Sequence, residues 1–340
     1  MKIAALMPTR GRHEMAHLAI KSLFEKCSKH ENFKIFILHD RDDAANSDKL
    51  KKAAKDLPNL IYFENQHTKT MGEMVNELQD KAHVECDIFI PFPDDYEIVT
   101  QNWDLVILEK FAIHKELPAC CYFNDTIVPA SQATFTVLNK NWVETVGRYV
   151  TNYFPFWFDD VWIDEIAQMA GLKERINISV NCLSGKGKTP RMKNLPFWNS
   201  FFRNTIQERL SDANKLINRA YALVPNKINE QKAFAERYAS TYFENVYTNE
   251  NSVLSKWEKE LADNSSFWKT NKDRLIKYYL FEAKAVAKLL SMMDSPEAVE
   301  HMVSKESLFK NISISGIATK DFINSLRKYF SRPFFTLFKK

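Results

Sequence analysis

Within residues 2–92, short apolar segments alternate with amphipathic ones, and this alternation restricts the chain to few architectures. KIAALM (2–7), FKIFILHD (33–40), NLIYFEN (59–65) and DIFIPF (87–92) read as strands. Residues 13–28, 48–57 and 71–83 read as helices. In the first of these, Met15, Ala16, Ala19, Ile20, Leu23 and Cys27 fall broadly on one side at helical spacing. Repeated strand–helix units predict a mostly parallel sheet covered by helices. Near-continuous apolar strands fit burial on both faces. ATFTVLNKNWVETVG (133–147) adds a strand and a helix, and RINISVNCL (175–183) a further strand.

At 340 residues the chain is long for one domain and comfortable for one and a half to two. Its character changes after about residue 195. SGKGKTPRMKN is polar, basic and Gly/Pro-containing, and the remainder reads as helices at 199–222, 229–245, 250–262, 271–293, 295–309 and 319–330. Ser295-Pro296-Glu297 supplies a cap, Pro at the first helical position and an acid in the first turn. We therefore expect an α/β domain over 1–195 and a helical region over 196–340.

Composition removes several function classes. With 7 glycines in 340 residues, a Gly-rich phosphate loop is nearly excluded. The net charge of +4 is mild and both signs are interspersed, so no dedicated nucleic-acid surface is expected. The 5 cysteines are odd in number and lack CxxC spacing, which fits a reducing cytoplasm. No apolar run approaches the roughly 18 residues of a membrane span. IAALM is too short for a signal-peptide core. The expectation is a soluble, cytoplasmic chain. The tail LRKYFSRPFFTLFKK interleaves basic and aromatic residues. It suits peripheral contact with an anionic membrane, or a terminal helix packing its aromatics on the body.

The chemistry concentrates at two acidic pairs beside strongly apolar stretches: Asp94-Asp95 in DIFIPFPDDYE and Asp159-Asp160 in YFPFWFDDVWIDE. Open α/β sheets bind ligands at the C-terminal edge of their strands. Adjacent carboxylates there suit a divalent cation carrying phosphate. Asp160 follows aromatics that could form a sugar platform and raise its pKa toward that of a useful base. The plainer alternative is that such aspartates are turn and cap residues. Arg10 and Arg12 of PTRGR could meet phosphate, and Asp40 could accept from a base N–H or a ribose hydroxyl. Lys186, Lys188 and Arg191 could close over a diphosphate, or form a solvated loop. HEMAH (13–17) matches the HExxH zinc pattern. It opens the protein directly after the first strand and lacks a Gly-x-x-His continuation, so its histidines read as helix-surface residues near the ligand edge.

In order, these pieces resemble a glycosyltransferase of the GT-A fold, close to family 2. IAALMPTRGRHEMAHLAIKSL is similar to that family's opening strand, turn and helix, and FKIFILHD to its second strand with the nucleotide-binding acid. DIFIPFPDDYEIVTQNWD resembles its metal motif, and FWFDDVWIDEIAQMAG its base-bearing segment. The resemblance covers roughly residues 1–195, and the helical region resembles no family we can name. Two departures stand out. The metal motif is Pro-Asp-Asp-Tyr rather than a plain DxD, and Asp159 stands where Glu is common.

The resemblance implies a metal-dependent, inverting transfer from a nucleotide-diphosphate sugar, a UDP-sugar by default, with Mn²⁺ or Mg²⁺ as cofactor. The acceptor would be a glycan or lipid-linked hydroxyl, as in bacterial polysaccharide synthesis. It implies nucleotide-sugar contacts from Pro8, Thr9, Arg10, Asp40, Lys69, Asp94, Lys186, Lys188 and Arg191. Asp95 and Asp94 would hold the metal, Trp157 and Asp159 would face the acceptor, and Asp160 would be the base. Rival readings are a retaining enzyme or a nucleotidyltransferase on the same scaffold, and a non-catalytic binding protein.

Overall fold

The computed structural model describes residues 1–66, 69–126, 133–154, 158–183, 202 and 205–241. The expected alternation is present as β1 (Ile3–Thr9), α1 (His13–Lys26), β2 (Phe33–Asp40), α2 (Ala44–Ala53), β3 (Leu60–Asn65), α3 (Met71–Ala82) and β4 (Ile88–Pro91). It continues with β5 (Tyr96–Ile98), α4 (Trp103–Ala112), β6 (Cys120–Asp125), β7 (Thr136–Asn139), α5 (Lys140–Val146), α6 (Asp159–Ala170) and β8 (Lys173–Cys182). Two further helices, α7 (Ile206–Ala220) and α8 (Pro225–Thr241), follow.

The strands form one 8-stranded sheet in the order β3-β2-β1-β4-β7-β6-β8-β5. β1 pairs in parallel with β2 and with β4, and β2 with β3. β7 runs antiparallel to both β4 and β6, β6 is parallel to β8, and β5 is antiparallel to β8. The result is a mixed, mostly parallel α/β sheet flanked by helices. β1 is buried along its whole length, as a central parallel strand covered on both faces must be. One face of the core joins Ile3, Ala5 and Met7 of β1, Ile35 and Ile37 of β2 and Ile88 and Ile90 of β4 to Ala16, Ala19, Ile20 and Leu23 of α1. Each fully buried Ile or Leu there contributes about 1.5–3 kcal/mol of transfer free energy.

The order of the sheet creates the site. The chain leaves β1 toward β2 and β3, then returns to place β4 on the other side of β1, a topological switch point. Pairing of β1 with β4 reaches only Leu6 and Pro91, whereas pairing with β2 continues to Thr9 and His39. Pro8 lies within β1 rather than in the turn after it, where PTRGR is expected from the sequence. With no N–H to donate, it stands where the ladder to β4 has already ended.

The Asn-Trp-Asp after the first acidic pair is a clamp. Asn102 adopts a left-handed conformation (φ 54°), and the buried Trp103 donates its indole N–H to the carbonyl of Leu23 at 2.9 Å. Asp104 accepts from the N–H and hydroxyl of Ser28, the N–H of Lys29 and the amide of Asn32. Burial alone would raise the pKa of Asp104, but these donors outweigh it and lower it.

Two compact units are distinguishable. One comprises residues 1–152, 156–188 and 207–240, so most of α7 and α8 belongs with the sheet. Composition alone suggested a division near residue 195. Burial of charge explains the attachment. Arg209 of α7, fully buried, donates to Glu165 of α6 at 2.7 Å and lies 4.9 Å from the Trp162 ring. Asp212 pairs with Arg148, and Gln231 of α8 donates to the carbonyl of Met169 at 2.7 Å. The other unit comprises residues 153–155, 189–206 and 241–340, and within it the rings of Phe154 and Phe202 lie 6.1 Å apart. Among the described residues no helix is long and apolar enough to cross a membrane.

Arg209→Met leaves the Glu165 carboxylate buried without its guanidinium. We expect a loss of about 3 kcal/mol of stability, read from the urea midpoint. A loss near zero would show that the pair does not hold α7 to the sheet.

Candidate active site

The acidic pair after β4 meets the turn after β1. Asp94 is 1% exposed and Asp95 lies partly open beside it. The Thr9 hydroxyl donates to Oδ2 of Asp94 at 2.7 Å. Nη2 of Arg12 lies 2.6 Å from Oδ1 of Asp94, and Nη1 of Arg12 donates to Oδ2 of Asp95 at 2.7 Å. One guanidinium thus spans both carboxylates. The Arg12–Asp94 contact is electrostatic rather than an aligned hydrogen bond, so the buried Oδ1 has no directional donor. Burial pushes Asp94 up to about 6, against the opposing pull of Arg12 and Thr9.

Arg10 turns to the other side. Its Nη1 lies 2.6 Å from Oδ2 of Asp40, and its guanidinium forks onto Asp42 at 2.6 and 2.7 Å. Bidentate pairs of this kind are the stronger ones, and the Asp42 bonds lead in raising Arg10 above the usual arginine range. Register explains the encounter: Thr9 stands opposite His39, so the next residues, Arg10 and Asp40, meet at the edge. Gly11, with φ +69°, allows the turn to reverse between the two arginines, and its N–H donates to Asp43 at 2.7 Å. Both arginines expected to meet phosphate are paired with carboxylates. His13 is within 3.2 Å of the Asn46 side chain.

Asn65 carried no signal in the sequence. It ends β3 opposite Asp40, is 2% exposed, and its amide lies 3.5 Å from Oδ1 of Asp40. Its own Oδ1 is buried with no hydrogen-bond partner among the described residues. An apolar strand ending in Asn looks like any turn onset; only the pairing with β2 places it beside Asp40.

The second pair opens α6. Phe158, at the N-cap, is left-handed (φ 64°), and Asp159 and Asp160 occupy the first turn. A non-glycine residue in that region is strained by about 1 kcal/mol or more. The positive end of the helix dipole favours carboxylates in this turn. The two groups are not equivalent. Asp160 accepts the N–H of Val161 at 2.9 Å, which favours its anion. Oδ1 of Asp159 is buried with no hydrogen-bond partner among the described residues. Burial pushes Asp160 up to about 6, whereas burial and then the neighbouring Asp160 push Asp159 well above the carboxylate range. Both shifts disfavour ionisation, and more so at Asp159, so Asp160 is the more readily ionised of the two.

α3 holds this segment in place. Thr70 and Glu73 form a capping box at its start. Asn76 accepts from the N–H groups of Tyr149 and Val150 and donates to the carbonyl of Val150 and the side chain of Asn152. Gly72 passes so close that an added Cβ would lie 2.8 Å from the Thr151 carbonyl and 3.6 Å from Oδ1 of Asp159. Because α3 begins just beyond the C-terminal end of β3, this contact puts the second acidic pair on the same rim of the sheet as the first.

Of the remaining expected residues, Lys69 is exposed and pairs with Glu77. Trp157, Lys186, Lys188, Arg191 and the basic-aromatic tail lie outside the described residues.

The acidic pair after β4 fits a divalent cation by its chemistry. Its hard oxygens already gather around a positive group, the Arg12 guanidinium, and Oδ1 of Asp94 is buried without a directional donor.

No family model matches this chain, and no curated protein does. Among solved structures, the chain is similar to the S. aureus TarS 1-349 fragment in complex with UDP-GlcNAc. The TM-score is 0.49 at 12% identity, covering 96% of this chain and 92% of that one. It is also similar to the mannosyltransferase PcManGT from Pyrobaculum calidifontis in complex with GDP-Man and Mn²⁺, with TM-score 0.44, 8% identity, and 91% and 87% coverage. GalNAc-T7 with UDP, GalNAc and Mn²⁺ matches at TM-score 0.45 and 12% identity over 72% of this chain and 56% of that one. At these identities the likeness is one of chain course. The mixed, mostly parallel sheet flanked by helices is consistent with the GT-A fold.

Gly72→Ala places a methyl group against the Thr151 carbonyl. The usual helical preference for Ala would favour the variant by up to about 1 kcal/mol. We expect instead a net destabilisation of about 1–3 kcal/mol, measured by chemical denaturation. A stabilised variant would show that α3 does not approach the 151–159 segment this closely.

Proposed function

We propose that the chain is a glycosyltransferase that moves a sugar from a nucleotide-diphosphate donor to an acceptor hydroxyl by direct displacement, with inversion. The observation that carries this reading is the pairing of two distinct acidic sites on one rim. One is bound to cationic and hydroxyl partners at the switch point between β1 and β4. The other opens a helix with two adjacent aspartates, one of them accepting a backbone N–H.

On this reading the nucleoside lies along the ends of β1, β2 and β3, against Pro8, Thr9, Asp40 and Asn65. Asp40 accepts from a base N–H or a ribose hydroxyl, and the Asn65 amide offers both a donor and an acceptor beside it. Arg10 holds Asp40 in place for that task. Asp95 and Asp94 would hold a Mn²⁺ or Mg²⁺ ion, which when bound supplies positive charge against the diphosphate. Asp160 removes the proton from the acceptor hydroxyl as the oxygen attacks the anomeric carbon. The departing diphosphate leaves on the opposite face. Asp159 presents its carboxyl toward the acceptor, and burial beside Asp160 raises its pKa, which makes it the poorer base of the two. Lys69, Lys186, Lys188 and Arg191 are proposed as further donor contacts, and Trp157 as a platform for the acceptor. The proposed setting is the cytoplasm, at the membrane face where a lipid-linked glycan would be presented.

A thermal-shift panel of UDP, GDP, CDP and ADP, each with and without Mn²⁺, tests the class. We expect one nucleotide to raise the melting temperature, and more so with the metal. No shift with any nucleotide would sink the reading.

Asp160→Asn should lower turnover by two orders of magnitude or more, in keeping with loss of a general base, while donor binding stays within about twofold. A base must be unprotonated, so activity rises with pH through the Asp160 pKa of about 6. In the wild type kcat/KM at pH 5 should be about tenfold below its plateau. Near-normal turnover of Asp160→Asn would remove Asp160 from the base role.

A further inference from the structure

Arg12 is not explained by the reaction just described. It follows the left-handed Gly11, its side chain is 21% exposed, and its two terminal nitrogens reach Asp94 and Asp95. Arg12 thus binds the same two carboxylates that would hold the metal. A guanidinium and a divalent cation on those oxygens compete, because like charges a few ångströms apart in a partly buried site repel strongly.

We propose that Arg12 is the resident counter-cation of the acidic pair and must leave it before a divalent cation binds, so that metal and nucleotide load together. The proposal rests on the nucleotide-sugar reading of the site. Arg12 is the cation that bridges two adjacent carboxylates, one of them almost fully buried and also accepting from the Thr9 hydroxyl. The guanidinium is what makes that burial tolerable in the donor-free protein. Arg10 does not substitute for it, being held by Asp40 and Asp42.

Metal alone must displace Arg12 with nothing to receive it. A nucleotide diphosphate supplies an anionic partner that suits the planar fork of the released guanidinium. The two ligands then favour each other's binding through one side chain whose equilibrium both of them bias. Only side-chain torsions have to change, since Arg12 is partly exposed and the buried carboxylates stay in place.

The test is Mn²⁺ binding to the full-length chain, followed by loss of the free-ion electron paramagnetic resonance signal. It is run alone, with UDP and with GDP, on wild type, Arg12→Met and Arg12→Lys. For wild type we expect weak Mn²⁺ binding that tightens about tenfold with the preferred nucleotide. Arg12→Met should bind Mn²⁺ alone about tenfold more tightly than wild type and lose most of the nucleotide's effect. Arg12→Lys keeps the charge without the fork and should fall between.

Equal or weaker Mn²⁺ affinity in Arg12→Met, without nucleotide, overturns the proposal. If Arg12→Met does not fold, the same comparison is made with Arg12→Lys, and affinity equal to wild type overturns it there. Should UDP or GDP raise the melting temperature of every form while Mn²⁺ binds none, the counter-cation role falls and the nucleotide-binding reading stands. No response to either nucleotide in any form overturns both.

Discussion

Burial of the Asp94 carboxylate organises the rim of this sheet. A carboxylate at 1% exposure must find partners, and it finds them in Thr9 at the end of β1 and Arg12 at the start of α1. Those contacts tie the loop after β4 to the loop after β1, where the β1–β4 ladder has stopped at Leu6 and Pro91. The same turn sends Arg10 to Asp40 and the Gly11 N–H to Asp43, so the loops after β1, β2 and β4 are held by charge rather than by further sheet. The core beneath is apolar and continuous. On this rim polar and charged groups gather at the edge, where a ligand of opposite design can be received.

The second acidic site obeys a different constraint. Asp159 and Asp160 are adjacent and partly buried, and adjacent carboxylates in such surroundings do not both ionise readily. Their backbone surroundings distinguish them: Asp160 accepts the N–H of Val161, and Oδ1 of Asp159 accepts none among the described residues. The strained Phe158, the bonds of Asn76 to residues 149–152 and the close pass of Gly72 fix where α6 begins. The Arg209–Glu165 pair fixes α6 from the side of α7. α6 is thus held at both its first turn and its flank, as a helix carrying a precisely aimed carboxylate must be.

Much of this was legible in the chain because the signals are local. β2 spans the same residues, 33–40, as its apolar run, and α1, α3 and α6 begin at or beside the residues their patterns indicate. α2 starts at Ala44, ahead of the expected 48, because the acidic turn after β2 runs straight into the helix. β5, α4 and β6 carried no clear signal. β5 has 3 residues and exists only by pairing with β8, Tyr96 opposite Cys182. α4 is apolar around much of its surface, so its periodicity is faint, and β6 is defined by partners on both sides rather than by alternation.

The sequence by itself determined the strand–helix order, the apolar character of the central strands and the presence of carboxylates where those strands end. Each depends on residues within a few positions of one another, so spacing alone reveals it. Only the tertiary structure decided what the polar residues do. Arg12 meets Asp95 across 83 positions and Asn65 meets Asp40 across 25. Gly72 and Asp159 are brought together across 87 positions. Which carboxylate is paired, which is charged and which is left without a donor depends on sheet order and register. Those are set by the packing of the whole sheet rather than by any segment of it.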